Sequence, residues 1–134
     1  DINLLSDDLS NKKIKNLRLN VSAPFHCKYM KTASEKMTSF INDLNINELE
    51  KPIISNVTAN EISSPKEIKS LLISQIEKKV RWLESVEYMI NNGVKNFVEI
   101  GPGKVLSGLI KRINKNVNVR SINSVEDIKL LIND

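Results

Sequence analysis

The chain has one cysteine, one histidine, one tryptophan, four glycines and four prolines in 134 residues. A single cysteine, Cys27, excludes an internal disulfide and fits a reducing, cytoplasmic setting. Cys27 beside His26 does not make a metal site either. Adjacent side chains seldom converge on one ion, and two ligands are too few. No metal and no permanently bound cofactor are expected. Aromatic residues make up only 4 % of the chain, so few rings are available to stack bases. The net charge of +4 is carried by lysines scattered among Asn and Glu. That pattern reads as a solvated surface and not as a nucleic-acid stripe. A modest positive surface favours an acidic protein or a phosphorylated cofactor as partner. No apolar run approaches the roughly 20 residues of a membrane-spanning helix, and no signal-peptide pattern is present. The chain begins at Asp1 and not at Met, which suggests a processed, trimmed or partial chain.

What is present is enough apolar side chain, 40 % of the residues, for one domain with an Ile, Leu and Val core. Residues 1–13 are polar and mixed and read as a loop or a frayed remnant. Leu17, Leu19 and Val21 alternate with Arg18, Asn20 and Ser22, which predicts a half-buried strand over about 15–22. Met30, Ala33, Met37, Phe40, Ile41 and Leu44 recur at helical spacing and predict a helix with a core-facing Met and Phe stripe. Ile53–Thr58 reads as a short strand and Asn60–Ser64 as a loop. Ser64-Pro65 opens a helix, with Glu67 placed for a capping box. A further helix runs from about Leu83 to Asn92 and stops at Gly93. Phe97–Ile100 and Val117–Ile122 are strand candidates on either side of a helix that starts near Val105. A last helix, Val125–Ile132, is opened by Ser124 with Asp127 three residues later. Strands alternating with helices predict an α/β fold.

Two stretches could carry chemistry. Val21-Ser22-Ala23-Pro24-Phe25-His26-Cys27 puts the only histidine on a tight turn, a plausible seat for a general base or a structural residue. Glu99-Ile100-Gly101-Pro102-Gly103-Lys104 has the strand, glycine turn and helix start of an anion site. It is neither a P-loop nor a full dinucleotide fingerprint. A glycine turn that lets the helix pack on its strand is the plainer reading. Gln75 interrupts an apolar helical face, as a boundary residue or as the holder of a partner. No G-x-S-x-G nucleophile elbow occurs, so a nucleophile for His26 must lie outside this chain.

Taken in order, Ser22–Cys27, Met30-Lys31, Pro52–Val57, Gln75, Val80–Trp82, Ser85–Met89 and Glu99–Leu109 resemble the C-terminal part of the malonyl-CoA:acyl carrier protein transacylases of fatty-acid synthesis. The resemblance covers about residues 15–125. It implies the C-terminal half of an α/β-hydrolase-like acyltransferase core (residues 26–134), preceded by the last part of an inserted ferredoxin-like subdomain (residues 1–25). It implies a ping-pong reaction in which malonyl passes from malonyl-CoA to a serine and then to the phosphopantetheine thiol of acyl carrier protein. By the same resemblance His26 is the general base and acid, and the Gln75 main-chain carbonyl orients it. Phe25 and Asn56 fall on the substrate side, and Gly101 and Gly103 form a structural turn near the site. A bulky Phe25 would crowd an α-methyl group and favour malonyl over methylmalonyl. The full-length protein is expected to be a cytoplasmic monomer. The family's serine, malonyl-pairing arginine and oxyanion-hole glutamine fall upstream of Asp1, so the chain alone is expected to be inactive. Two alternatives are the acyltransferase domain of a polyketide or fatty-acid synthase, and a non-enzymatic α/β module binding a phosphorylated ligand at Gly101–Lys104.

Overall fold

The alternating pattern of the second half resolves into a parallel βαβ unit. In a computed structural model that describes residues 2–18 and 20–132, the elements run in this order. They are α1 (Ile2–Asn11), a 3-10 turn (Lys28–Met30), α2 (Lys31–Asp43), β1 (Ile53–Ile54), β2 (Glu61–Ile62) and α3 (Pro65–Ser74). Then come α4 (Trp82–Asn91), β3 (Asn96–Ile100), α5 (Val105–Ile113), β4 (Asn118–Ile122) and α6 (Val125–Ile132). β3 and β4 pair in parallel, with Phe97 opposite Val119 and Ile100 opposite Ile122. A parallel pair needs a crossover, and α5 supplies it. The two-residue period puts Phe97 and Val119 on one face. There they meet Trp82, Met89 and Ile90 of α4 and Ile113 of α5, around the buried Val86, Ile110 and Val117. Burying a side chain such as Val86 stabilises the fold by roughly 1.5–3 kcal/mol.

The helix ends follow local chemistry. Val94 N–H donates to the Met89 carbonyl and Gly93 N–H to the Ile90 carbonyl, both at 3.0 Å, with Gly93 at φ 89°. This is the Schellman arrangement that the glycine predicted. At α6, Ser124 Oγ accepts from Asp127 N–H at 3.2 Å, and Asp127 Oδ2 accepts from Ser124 N–H at 3.0 Å, which closes the capping box. At α3, Ser64 is the N-cap and Pro65 follows it, but the serine side chain makes no cap bond. The box expected with Glu67 is therefore not formed.

The first half departs further from expectation. Residues 2–11 form a helix and not a loop. Ile2, Leu5 and Leu9 share a face, and the Lys12–Asp8 ion pair at 2.8 Å ties the C-terminal turn. Among the described residues of the expected strand over 15–22 there is no strand pairing, and Leu19 lies outside the described residues. A strand is stabilised by its ladder and by cross-strand packing. Leu17 and Val21 find neither, being 84 % and 63 % exposed. α2 packs against α3, and its buried residues are Ser34 and Ile41, while Met37 and Phe40 are exposed. Of the expected stripe, Ile41 is core, Met30 and Ala33 are half-buried, and Met37 and Phe40 are exposed. β1 is shorter than the expected strand. Ser55 Oγ accepts the N–H groups of Val57 and Thr58 at 3.1 and 3.3 Å, turning the chain back into β2. β2 in turn occupies part of the expected 60–64 loop.

Candidate active site

His26 sits between the irregular segment that follows α1 and the short turn leading into α2. Phe25 N–H donates to the Ala23 carbonyl at 2.9 Å, which makes the turn tight. His26 itself takes φ 58°, a left-handed conformation that costs a side-chain-bearing residue about 1–2 kcal/mol. The imidazole is exposed, and its Nδ1 lies 2.8 Å from the main-chain carbonyl oxygen of Gln75, 49 residues away in sequence. Gln75 is the C-cap of α3. Its carbonyl is among those that a helix end leaves without an intrahelical donor.

This contact fixes the chemistry of the ring. A carbonyl oxygen only accepts, so Nδ1 carries the proton in the bonded state. In the neutral ring the lone pair is then on Nε2. The arrangement can take a proton at Nε2 and hold the imidazolium in one orientation.

Asn56 Nδ2 donates to Gln75 Oε1 at 3.3 Å, and its main-chain carbonyl accepts from Arg81 N–H at 2.9 Å. Arg81 also donates through Nη1 to the Thr58 carbonyl at 3.1 Å and through Nε to Glu84 Oε1 at 3.1 Å. Phe25 is 54 % exposed beside His26. The link through Asn56 and Arg81 escaped sequence reasoning. It joins residues 19 and 25 positions apart, and no local pattern marks it.

The Gly101–Gly103 turn joins β3 to α5, and its amides are bonded within the chain. Gly101 N–H donates to the Ile122 carbonyl and Gly103 N–H to Asn123 Oδ1. The Glu99 carboxylate accepts from Leu106 N–H at 3.0 Å and from Ser107 N–H at 2.8 Å. The chain's own carboxylate thus occupies the helix start that resembled an anion site. Gly101 and Gly103 have φ 141° and 95°, and no atom lies where a Cβ would stand. It is the backbone shape, and not lack of space, that selects glycine.

Hydrogen bonds from Ser107 hold the Glu99 carboxyl below its usual range. A carboxyl whose folded pKa is lowered adds stability above its unfolded pKa, and that stability is lost as pH falls through the folded value. The melting temperature should therefore drop on acidification below about pH 4.5, the ordinary glutamate value. Glu99→Gln should lower it at neutral pH and flatten that acid limb, as measured by thermal melts across pH. An acid limb identical in both proteins would contradict this.

Among the described residues no group of three or more His, Cys, Asp or Glu is arranged to hold a metal. No helix among them is long and apolar enough to cross a membrane.

The fold and the site define an α/β chain whose histidine is oriented by a helix-end carbonyl in place of a carboxylate. No family model matches the chain. It is 43 % identical over 111 residues to the malonyl CoA-acyl carrier protein transacylase of Staphylococcus aureus, covering 83 % of this chain and 36 % of that protein. The acyl-carrier-protein-S-malonyltransferase of Bartonella henselae superposes at a TM-score of 0.88 with 36 % identity, over 98 % of this chain and 42 % of that one. A malonyl-transacylase solved in complex with a type II polyketide acyl-carrier protein gives a TM-score of 0.86 at 32 % identity, over 99 % of this chain and 44 % of that one. Over most of its length the chain matches the C-terminal portion of malonyl CoA-acyl carrier protein transacylases. It spans about a third of the length of the Staphylococcus aureus relative.

Proposed function

We infer that this chain is the histidine-bearing part of an acyltransferase that moves malonyl from coenzyme A to the phosphopantetheine thiol of an acyl carrier protein. The observation that carries this reading is the 2.8 Å contact between His26 Nδ1 and the Gln75 carbonyl, which leaves Nε2 as the basic atom. The nucleophile is a serine contributed by sequence outside these residues. His26 Nε2 takes the serine proton as the oxygen attacks the malonyl thioester carbon. As the C–S bond breaks, the imidazolium returns that proton to the coenzyme A thiolate. The second half runs in reverse, with the phosphopantetheine thiol giving its proton to Nε2 and displacing the serine. Asn56 and Phe25 border this site, and Phe25 favours malonyl over methylmalonyl by bulk. Residues 1–25 end a ferredoxin-like subdomain, and residues 26–134 belong to a hydrolase-like core. The carrier protein is the partner, and the setting is cytoplasmic fatty-acid synthesis. Nothing favours the phosphate-binding module. The amides of Gly101, Gly103, Leu106 and Ser107 are engaged within the chain.

The test pairs the chain with the upstream portion of the Staphylococcus aureus relative and measures malonyl carrier protein formed from malonyl-CoA. Transfer is expected from the pair and from neither part alone. Transfer by this chain alone, or none by a pair that co-purifies as a folded complex, would overturn the reading.

A further inference from the structure

The histidine is oriented by a main-chain carbonyl, which cannot be removed by substitution. What can be changed is whatever fixes the direction of that carbonyl. Gln75 ends α3, where the chain leaves the helix, so its peptide is held by fewer helical bonds than those before it. Its side chain is half-buried and its Oε1 accepts from Asn56 Nδ2 at 3.3 Å. Asn56 is itself well placed to act as a fixed post. It follows the buried Ser55, whose Oγ and carbonyl accept the N–H groups of Val57, Thr58 and Ala59. Its own carbonyl is bonded to Arg81 N–H, and Arg81 Nη1 returns to the Thr58 carbonyl. The turn between β1 and β2 is therefore pinned at both ends. Its asparagine reaches across to the residue whose carbonyl meets His26.

We propose that Asn56 is a positioning residue that locks the Gln75 peptide and thereby selects the Nδ1–H tautomer of His26. It acts through the Gln75 side chain. The proposal rests on His26 being the proton-transfer group, and it moves Asn56 from the substrate side to the support of the base.

The experiment is 15N NMR of the imidazole in the full chain at a pH where the ring is neutral, with the signal assigned by its loss in His26→Gln. The unsubstituted protein should be dominated by the Nδ1–H form. Asn56→Leu should lower the ratio of Nδ1–H to Nε2–H by about two- to tenfold, the weight of one neutral hydrogen bond. Gln75→Leu should give the same fall, and the double variant should fall no further, because both remove one interaction. Amide spectra establish that each variant is folded. If Asn56→Leu does not fold, Gln75→Leu alone carries the test. An unchanged ratio in either folded single variant, or a double variant showing the product of two separate falls, would overturn the proposal. The tautomer is read without substrate. A failure here leaves the malonyl transfer assay untouched, and a failed transfer assay leaves this coupling standing.

Discussion

His26→Ala in the paired transacylase is expected to slow malonyl transfer by about 10²–10⁴-fold, the usual contribution of a positioned general acid–base. The reason is specific to this site. Nδ1 is bonded to a group that can only accept, so Nε2 is the ring's one free basic atom, on an exposed imidazole. Without it the serine proton must go to water, and the leaving thiolate departs without a positioned proton donor. The role proposed for the imidazole is proton transfer, so the loss should appear mainly in kcat. Steady-state transfer to carrier protein measures it. A loss below about threefold would show that His26 has a structural role only.

Ile110→Ala is expected to destabilise the fold by about 2–5 kcal/mol. Ile110 is 4 % exposed and packs from α5 into the cluster with Val86 and Val117, where the βαβ unit and α4 meet. Truncation there leaves a cavity that two helices and a sheet cannot easily close. Total stabilities of small domains run about 5–15 kcal/mol, so the variant loses a large share. The neighbouring Val105, on the same helix but 69 % exposed, is the control: Val105→Ala should change stability by no more than about 0.5 kcal/mol. Urea unfolding of both variants decides this. Equal small effects would place the core elsewhere.

The second half was legible in the sequence because its signals are local. Gly93, the Ser124–Asp127 pair and the alternation around Phe97 and Val119 each name their own structure within a few residues. The first half was less legible because its outcome depends on what lies beside it. Leu17 and Val21 alternate as a strand does, yet a strand without a ladder does not form. Met37 and Phe40 recur as a core stripe does, yet they are 44 % and 67 % exposed. The α1 helix was hidden by polar composition, although Ile2, Leu5 and Leu9 carry helical spacing. At the site, the turn seating His26 could be read from Ala23-Pro24, and the role of Gln75 only through family resemblance. The Asn56 link and the Glu99 cap could not be read, because each joins a side chain to a partner that only the fold brings near.

The central claim is that His26 moves the proton at both the serine and the departing thiolate. Its most direct test is a rapid-quench measurement of coenzyme A thiol released from malonyl-CoA by the paired protein, with no carrier protein present. The account predicts a burst approaching one thiol per pair, which His26→Ala removes on the same timescale. A burst of equal rate and size in both proteins would contradict it.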